Sequence, residues 1–135
     1  MGVRTLIVDD EPTTRTILRR HLANVGCDIV GEASTSHHAV ELIESVAPDL
    51  VTLDIHMPEI QGMDSYKLFR NIRRRHPDIE FVVISGANYF QNRQDFMMGG
   101  AIGYFAKPID FRGLLGNLRV VFPELEAYRM PSHTL

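Results

Sequence analysis

Five short apolar runs, each followed by a longer stretch of helical periodicity, constrain this chain more than anything else in it. The runs are "RTLIVDD" (4–10), "CDIVGEA" (27–33), "PDLVTLD" (48–54), "IEFVVIS" (79–85) and "IGYFAKP" (102–108). Each is rich in β-branched or aromatic residues and bounded by Pro, Gly or Asp, the pattern of strands buried on both faces. Between them lie helical stripes. Leu18, Leu22 and Val25 mark a helix over 12–25, stopped by Gly26; Ala39, Ile43 and Val46 mark one over 36–47, with Thr35 or Ser36 as N-cap and Pro48 beyond its end. Tyr66, Phe69 and Ile72 face one way over 63–75, and Phe111, Leu114, Leu115, Leu118 and Val121 form a stripe over 110–122. A helix over 89–98 has few apolar residues to orient it. Strand and helix in strict alternation over one domain's length predict a parallel sheet covered on both faces, an α/β fold.

With 135 residues the chain has room for one domain and a proper core. The periodicity stops at Phe122, so residues 123–135 read as a tail or the start of a linker. A net charge of −3 offers no general attraction to nucleic acid or to an anionic membrane. No run approaches the roughly 18 apolar residues of a membrane span, and no signal-peptide core is present. The single cysteine, Cys27, excludes an internal disulfide and reads as a small buried hydrophobe. A cytoplasmic location is the expectation.

In an open parallel sheet, reactive side chains gather beyond the carboxyl ends of the strands. That edge carries Asp9 and Asp10 after the first strand, Asp54 after the third, Ser85 after the fourth and Lys107 after the fifth. If the first and third strands are neighbours, three acids, a hydroxyl and an ammonium converge. Carboxylates about 4 Å apart repel by roughly 4 kcal/mol at an effective dielectric near 20, and a divalent cation relieves this. An all-oxygen site with few protein ligands suits Mg²⁺ better than Zn²⁺. The basic residues comprise twelve Arg and two Lys, so a Lys at position 107 suggests selection for a compact point charge.

The set Asp9-Asp10, Asp54 with Met57-Pro58 and Gly62, Ser85-Gly86, Tyr104 and Lys107-Pro108 resembles the receiver domain of two-component response regulators, over residues 3–122. The resemblance implies a (βα)5 doubly wound, flavodoxin-like sheet of order 2-1-3-4-5. It implies that Asp54 accepts a phosphoryl group from a histidine kinase or histidine phosphotransfer protein, with Mg²⁺ (or Mn²⁺). Asp10 and Asp54 would hold the metal through side chains, His56 through its backbone carbonyl and Asp9 through water. Pro58 and Gly62 would shape the loop, and the bond before Pro108 would be cis. Ser85 and Lys107 would bind the phosphoryl group. Ser85 and Tyr104 would form a switch pair acting on a face made of the fourth helix, fifth strand and fifth helix. That face would serve a downstream protein target or output domain, with a phosphorylation-linked homodimer among the assemblies it allows. No direct contact with nucleic acid or membrane is expected of this domain.

Three positions depart from the common pattern. His56 puts an imidazole beside the acceptor, Gly86 stands where alanine is usual, and Ala87 offers no polar group to orient water. His56 and Ala87 are therefore the candidates for tuning phosphoryl lifetime. The residues also leave simpler roles open, with Ser85 a strand-end hydroxyl and Tyr104 a half-exposed strand aromatic. The alternative function is a haloacid dehalogenase-type phosphatase or phosphotransferase. That chemistry wants a second Asp two residues after the nucleophile, where this chain has His56. A flavodoxin-like cofactor binder would need a Gly-rich loop where Asp9-Asp10-Glu11-Pro12 stands.

Overall fold

A computed structural model describes residues 2–58, 62–86 and 90–128, with backbone only for Phe90 and Gln91. Strand and helix alternate as the periodicity predicts: β1 (Val3–Val8), α1 (Pro12–Asn24), β2 (Cys27–Ala33), α2 (Ser36–Val46), β3 (Leu50–Asp54), α3 (Ser65–Arg75), β4 (Glu80–Ser85), α4 (Phe90–Met98), β5 (Gly103–Ala106) and α5 (Phe111–Val121). The strands pair in parallel in the order β2-β1-β3-β4-β5. Because β1 lies between β2 and β3, the ends of the first and third strands are neighbours, the condition for the acids to meet.

The period-two alternation of each strand divides the core in two. Leu6, Val8, Val51, Leu53, Phe81 and Val83 point to one side of the sheet, under α2, α3 and α4. Ile7, Leu50, Val82 and Ile84 point to the other, under α1 and α5. Phe69 and Phe81, both fully buried, meet edge-on with ring centroids 5.2 Å apart. Strands with apolar residues on both faces need both helical layers, which explains their near-continuous hydrophobic runs.

Helix starts follow local hydrogen-bond chemistry. The Thr35 hydroxyl accepts from the His38 N–H at 3.1 Å, Asp64 from the Lys67 N–H at 2.8 Å, and Asp110 from the Gly113 N–H at 3.2 Å. Asp64 therefore sets the start of α3 at Ser65, two residues later than the apolar stripe suggests. Gly26, at φ +107°, closes the turn after α1. In α4 residues 92–95 are all exposed and Phe96 alone is fully buried among its described side chains, which accounts for its faint pattern.

The stripe on α5 departs from expectation at its end. Val121 is 38% exposed, whereas Phe122 and Leu125 pack into the α1–α5 core. The chain turns back after the helix: the Glu126 N–H donates to the Val25 carbonyl at 2.8 Å, and the Arg119 Nε to the Leu125 carbonyl at 3.1 Å. His21 stacks on Phe111 at 3.8 Å, with Tyr128 tilted against it at 6.0 Å. The first part of the segment 123–135 thus lies on the domain; residues 129–135 are outside the described ones. Among the described residues, no helix is long and apolar enough to cross a membrane.

Candidate functional site

β1 and β3, paired in register from Thr5–Leu50 to Val8–Leu53, deliver their terminal acids to one rim. Asp9 is 1% exposed and Asp54 2%, while Asp10 faces solvent. One carboxylate oxygen from each of Asp9, Asp10 and Asp54 falls within 4.8 Å of the others. The backbone orients them. Asp9 Oδ1 accepts the Glu11 N–H at 2.8 Å, and Asp54 Oδ1 accepts the His56 N–H at 2.9 Å.

Lys107, at the end of β5, reaches into the same pocket. Its Nζ lies 3.0 Å from Asp9 Oδ2, 3.7 Å from Asp54 Oδ2 and 2.6 Å from Glu11 Oε1. Burial pulls this ammonium down, but the bonds to Glu11 and Asp9 and the charge of Asp54 outweigh it and hold its pKa above the usual lysine range. Glu11 moves down in response to the Lys107 hydrogen bond and charge. Asp54 is pushed up to about 7: burial is the main cause, Asp9 and Asp10 add to it, and the His56 N–H and Lys107 oppose it.

The other candidates fall around this pocket. Ser85 is fully buried at the end of β4, its Oγ 3.4 Å from His56 Nε2. Tyr104 lies in β5, half-buried, with its ring 6.4 Å from Phe96 of α4. The Lys107–Pro108 peptide bond is cis, and Gly62 adopts φ +78°, a conformation that glycine takes without penalty. Pro58 is exposed in the loop that follows Asp54. Ala87, expected to bear on phosphoryl lifetime, lies outside the described residues.

Three contributors escaped the sequence reading. Glu11 supplies the shortest contact to Lys107, and the acidic triplet Asp9-Asp10-Glu11 was its available signal. The buried Ser65 Oγ donates to the Asp54 carbonyl at 2.8 Å, tying α3 to the acid. Arg15 donates to the Asp9 carbonyl at 2.7 Å. For a hydroxyl just inside a helix start, or for an arginine in the first turn of a helix, no residue pattern announces such a tie.

The donor set fits a hard divalent cation. Three carboxylates converge with one ammonium in contact, and the buried Asp9 Oδ2 has the Lys107 Nζ, at 3.0 Å, as its charge partner. Oxygen donors of this kind suit a small oxophilic ion.

A doubly wound parallel domain with an acidic, cation-competent pocket at the switch between β1 and β3 defines a class of α/β proteins that handle charged groups at a strand edge. Comparison with known proteins narrows it. The family model described as response regulator receiver domain matches residues 5–119. The chain is 34% identical over 108 residues to the chemotaxis protein CheY of Thermotoga maritima, spanning 80% of this chain and 88% of that protein. It is 31% identical over 121 residues to the response regulator GacA of Pseudomonas viridiflava, spanning 89% of this chain but 55% of GacA, so it covers about half the length of such relatives. Among solved structures, a chain of the CheX–CheY–BeF3–Mg²⁺ complex from Borrelia burgdorferi superposes with a TM-score of 0.80 at 30% identity, covering 88% of each chain.

This chain belongs to the receiver domains of two-component response regulators. Such domains are signalling modules rather than classical enzymes, and they interact with histidine kinases and output domains. The acidic pocket fits a phosphoacceptor site, and the phosphatase alternative is not favoured.

Proposed function

We propose that Asp54 is the phosphoacceptor, taking a phosphoryl group from a histidine kinase or histidine phosphotransfer protein. The observation that carries this reading is the buried Asp54 carboxylate with Asp9, Asp10 and Lys107 within contact range at one rim of the sheet. An Asp54 carboxylate oxygen forms a bond to phosphorus while the bond from phosphorus to the donor's imidazole nitrogen breaks. The electron pair stays on that nitrogen. Mg²⁺ (or Mn²⁺), held by the Asp10 and Asp54 side chains, by the His56 carbonyl and through water by Asp9, would supply neutralisation of phosphoryl charge when bound. Lys107 presents its ammonium to a second phosphoryl oxygen, and the Ser85 hydroxyl donates to a third.

Phosphorylation replaces one negative charge with about two and adds acceptor oxygens. In this structure the Ser85 hydroxyl sits against His56, so engaging a phosphoryl oxygen requires it to change partner. Space opened at the end of β4 is then available to Tyr104, biasing the face made of α4, β5 and α5 toward a downstream target, an output domain or a second copy of the chain. Pro58, Gly62 and Pro108 fix the loops, and His56 with Ala87 sets the lifetime of the adduct. Residues 3–122 are the receiver unit, which works in the cytoplasm without contacting nucleic acid or membrane.

The test is intact mass after incubation with acetyl phosphate and Mg²⁺. One phosphoryl adduct on the native chain and none on Asp54→Asn is the expected result. An adduct that persists in the variant places the acceptor elsewhere.

A further inference from the structure

Helix α3 carries five basic side chains between Ser65 and Arg75 and no acid. Two of them bind away from the groove: Arg73 donates to the carbonyls of Pro77 and Ile79, both at 3.0 Å, and Arg75 pairs with Glu44 at 2.7 Å. The remaining three, Lys67, Arg70 and Arg74, recur at spacings of three and four. They line one open groove of about 410 Å³ together with Met63 and Tyr66.

This groove is organised before anything binds. The Tyr66 ring stands edge-on to Phe96 at 5.2 Å. Arg70 lies 5.9 Å over that ring and donates to the Tyr66 hydroxyl at 3.2 Å. Lys67 Nζ donates to the Gly62 carbonyl at 3.0 Å. Aliphatic stems and one aromatic face thus form an apolar floor under three cationic heads. No carboxylate is among the groove's described residues, in a chain whose net charge is −3. The local charge therefore opposes the global one.

We infer that this groove docks an acidic peptide segment of a partner protein, with an apolar side chain on Met63 and Tyr66 and flanking carboxylates on Lys67, Arg70 and Arg74. Charge complementarity selects the partner's sign, and the apolar floor selects a peptide over a bare polyanion. A nucleic acid needs a longer positive track to follow its phosphates. The groove is lined by α3 and the residues just before it, with Tyr66 packed on Phe96 of α4, and the inference does not rest on phosphorylation of Asp54. It does place the occupant on the element tied to Asp54, because Ser65, at the start of α3, holds the Asp54 carbonyl.

The experiment titrates a synthetic twelve-residue peptide, glutamates flanking a central Leu-Phe pair, into the unphosphorylated ¹⁵N-labelled chain at low salt. Amide shifts should concentrate on Met63, Tyr66, Lys67, Arg70 and Arg74. Arg70→Glu and Arg74→Glu should each weaken binding about fivefold or more, and a Glu→Gln peptide should fail to bind. Arg20→Glu, an equal charge change on α1, should leave affinity unchanged. Thermal melts of the variants check folding, and Arg70→Gln/Arg74→Gln replaces the reversals should either unfold the chain. Shifts centred elsewhere, affinity insensitive to these substitutions, or tighter binding of an oligothymidylate through the same residues would overturn the inference.

Discussion

Replacing Asp54 by Asn should stabilise the metal-free domain at neutral pH, because the native fold holds this acid against its chemistry. Burial and two neighbouring carboxylates push Asp54 from the usual 3.8 to about 7. At about 1.36 kcal/mol per pH unit, three units amount to a penalty of about 4 kcal/mol once both states are ionised. Asn keeps an oxygen for the His56 N–H but turns an amide toward Lys107, so the net gain should be about 2 kcal/mol or more. The sign follows from proton counting. Between pH 3.8 and 7 the native state retains a proton on Asp54 that the unfolded chain has released. Stability from this group is therefore fully present below the lower value and lost as pH rises to the upper one. Urea unfolding in EDTA, followed by far-UV circular dichroism, should show the variant ahead at pH 7.5 and the gap narrowing to about 1 kcal/mol or less at pH 4.5. A variant less stable at pH 7.5, or a gap that does not change with pH, would refute the reasoning.

Two further outcomes follow from specific contacts. His56→Asn should speed loss of the phosphoryl adduct about fivefold, the effect of roughly 1 kcal/mol, while leaving divalent-cation affinity similar; the decay of the adduct by intact mass tests it, and an unchanged rate removes His56 from the account. Leu125→Ala should cost about 2–4 kcal/mol, because Leu125 is 3% exposed in the α1–α5 core, and the urea midpoint should fall at constant slope; a midpoint equal to the parent's would show that the segment after α5 adds nothing to the fold.

The fold was legible because buried parallel strands leave little latitude: each must be apolar on both faces and each crossover must be helical. The acids and Lys107 were legible because charge at the end of an apolar run has few structural uses. Partners in space were not. Glu11 and Ser65 touch the site through bonds set by helix starts, and a hydroxyl or an exposed acid there looks like ordinary capping chemistry. Val121 was misplaced because helical periodicity carries no information on where the chain turns, and the turn after α5 gives the buried position to Leu125. On α3 the opposite happened. The run Arg73-Arg74-Arg75 is three like charges in sequence, yet the fold divides it, pairing the first and third residues elsewhere in the chain and leaving Arg74 in the groove.

The pocket's charge balance explains why one lysine cannot finish the site. Lys107 touches Asp9, Glu11 and Asp54, and its shortest contact is to the exposed Glu11 rather than to either buried acid. An ion pair with an exposed partner of that kind contributes little, since water competes for Glu11. On the proposed mechanism the ammonium can therefore exchange Glu11 for a phosphoryl oxygen at small cost while keeping Asp9, whose Oδ2 is shut away from solvent and lies 3.0 Å from the ammonium. Glu11 then acts as a placeholder that keeps the lysine extended over the acids. Asp9 anchors the ammonium from below, and the Asp54 carboxylate remains 3.7 Å away, close enough to feel the charge without being bound by it.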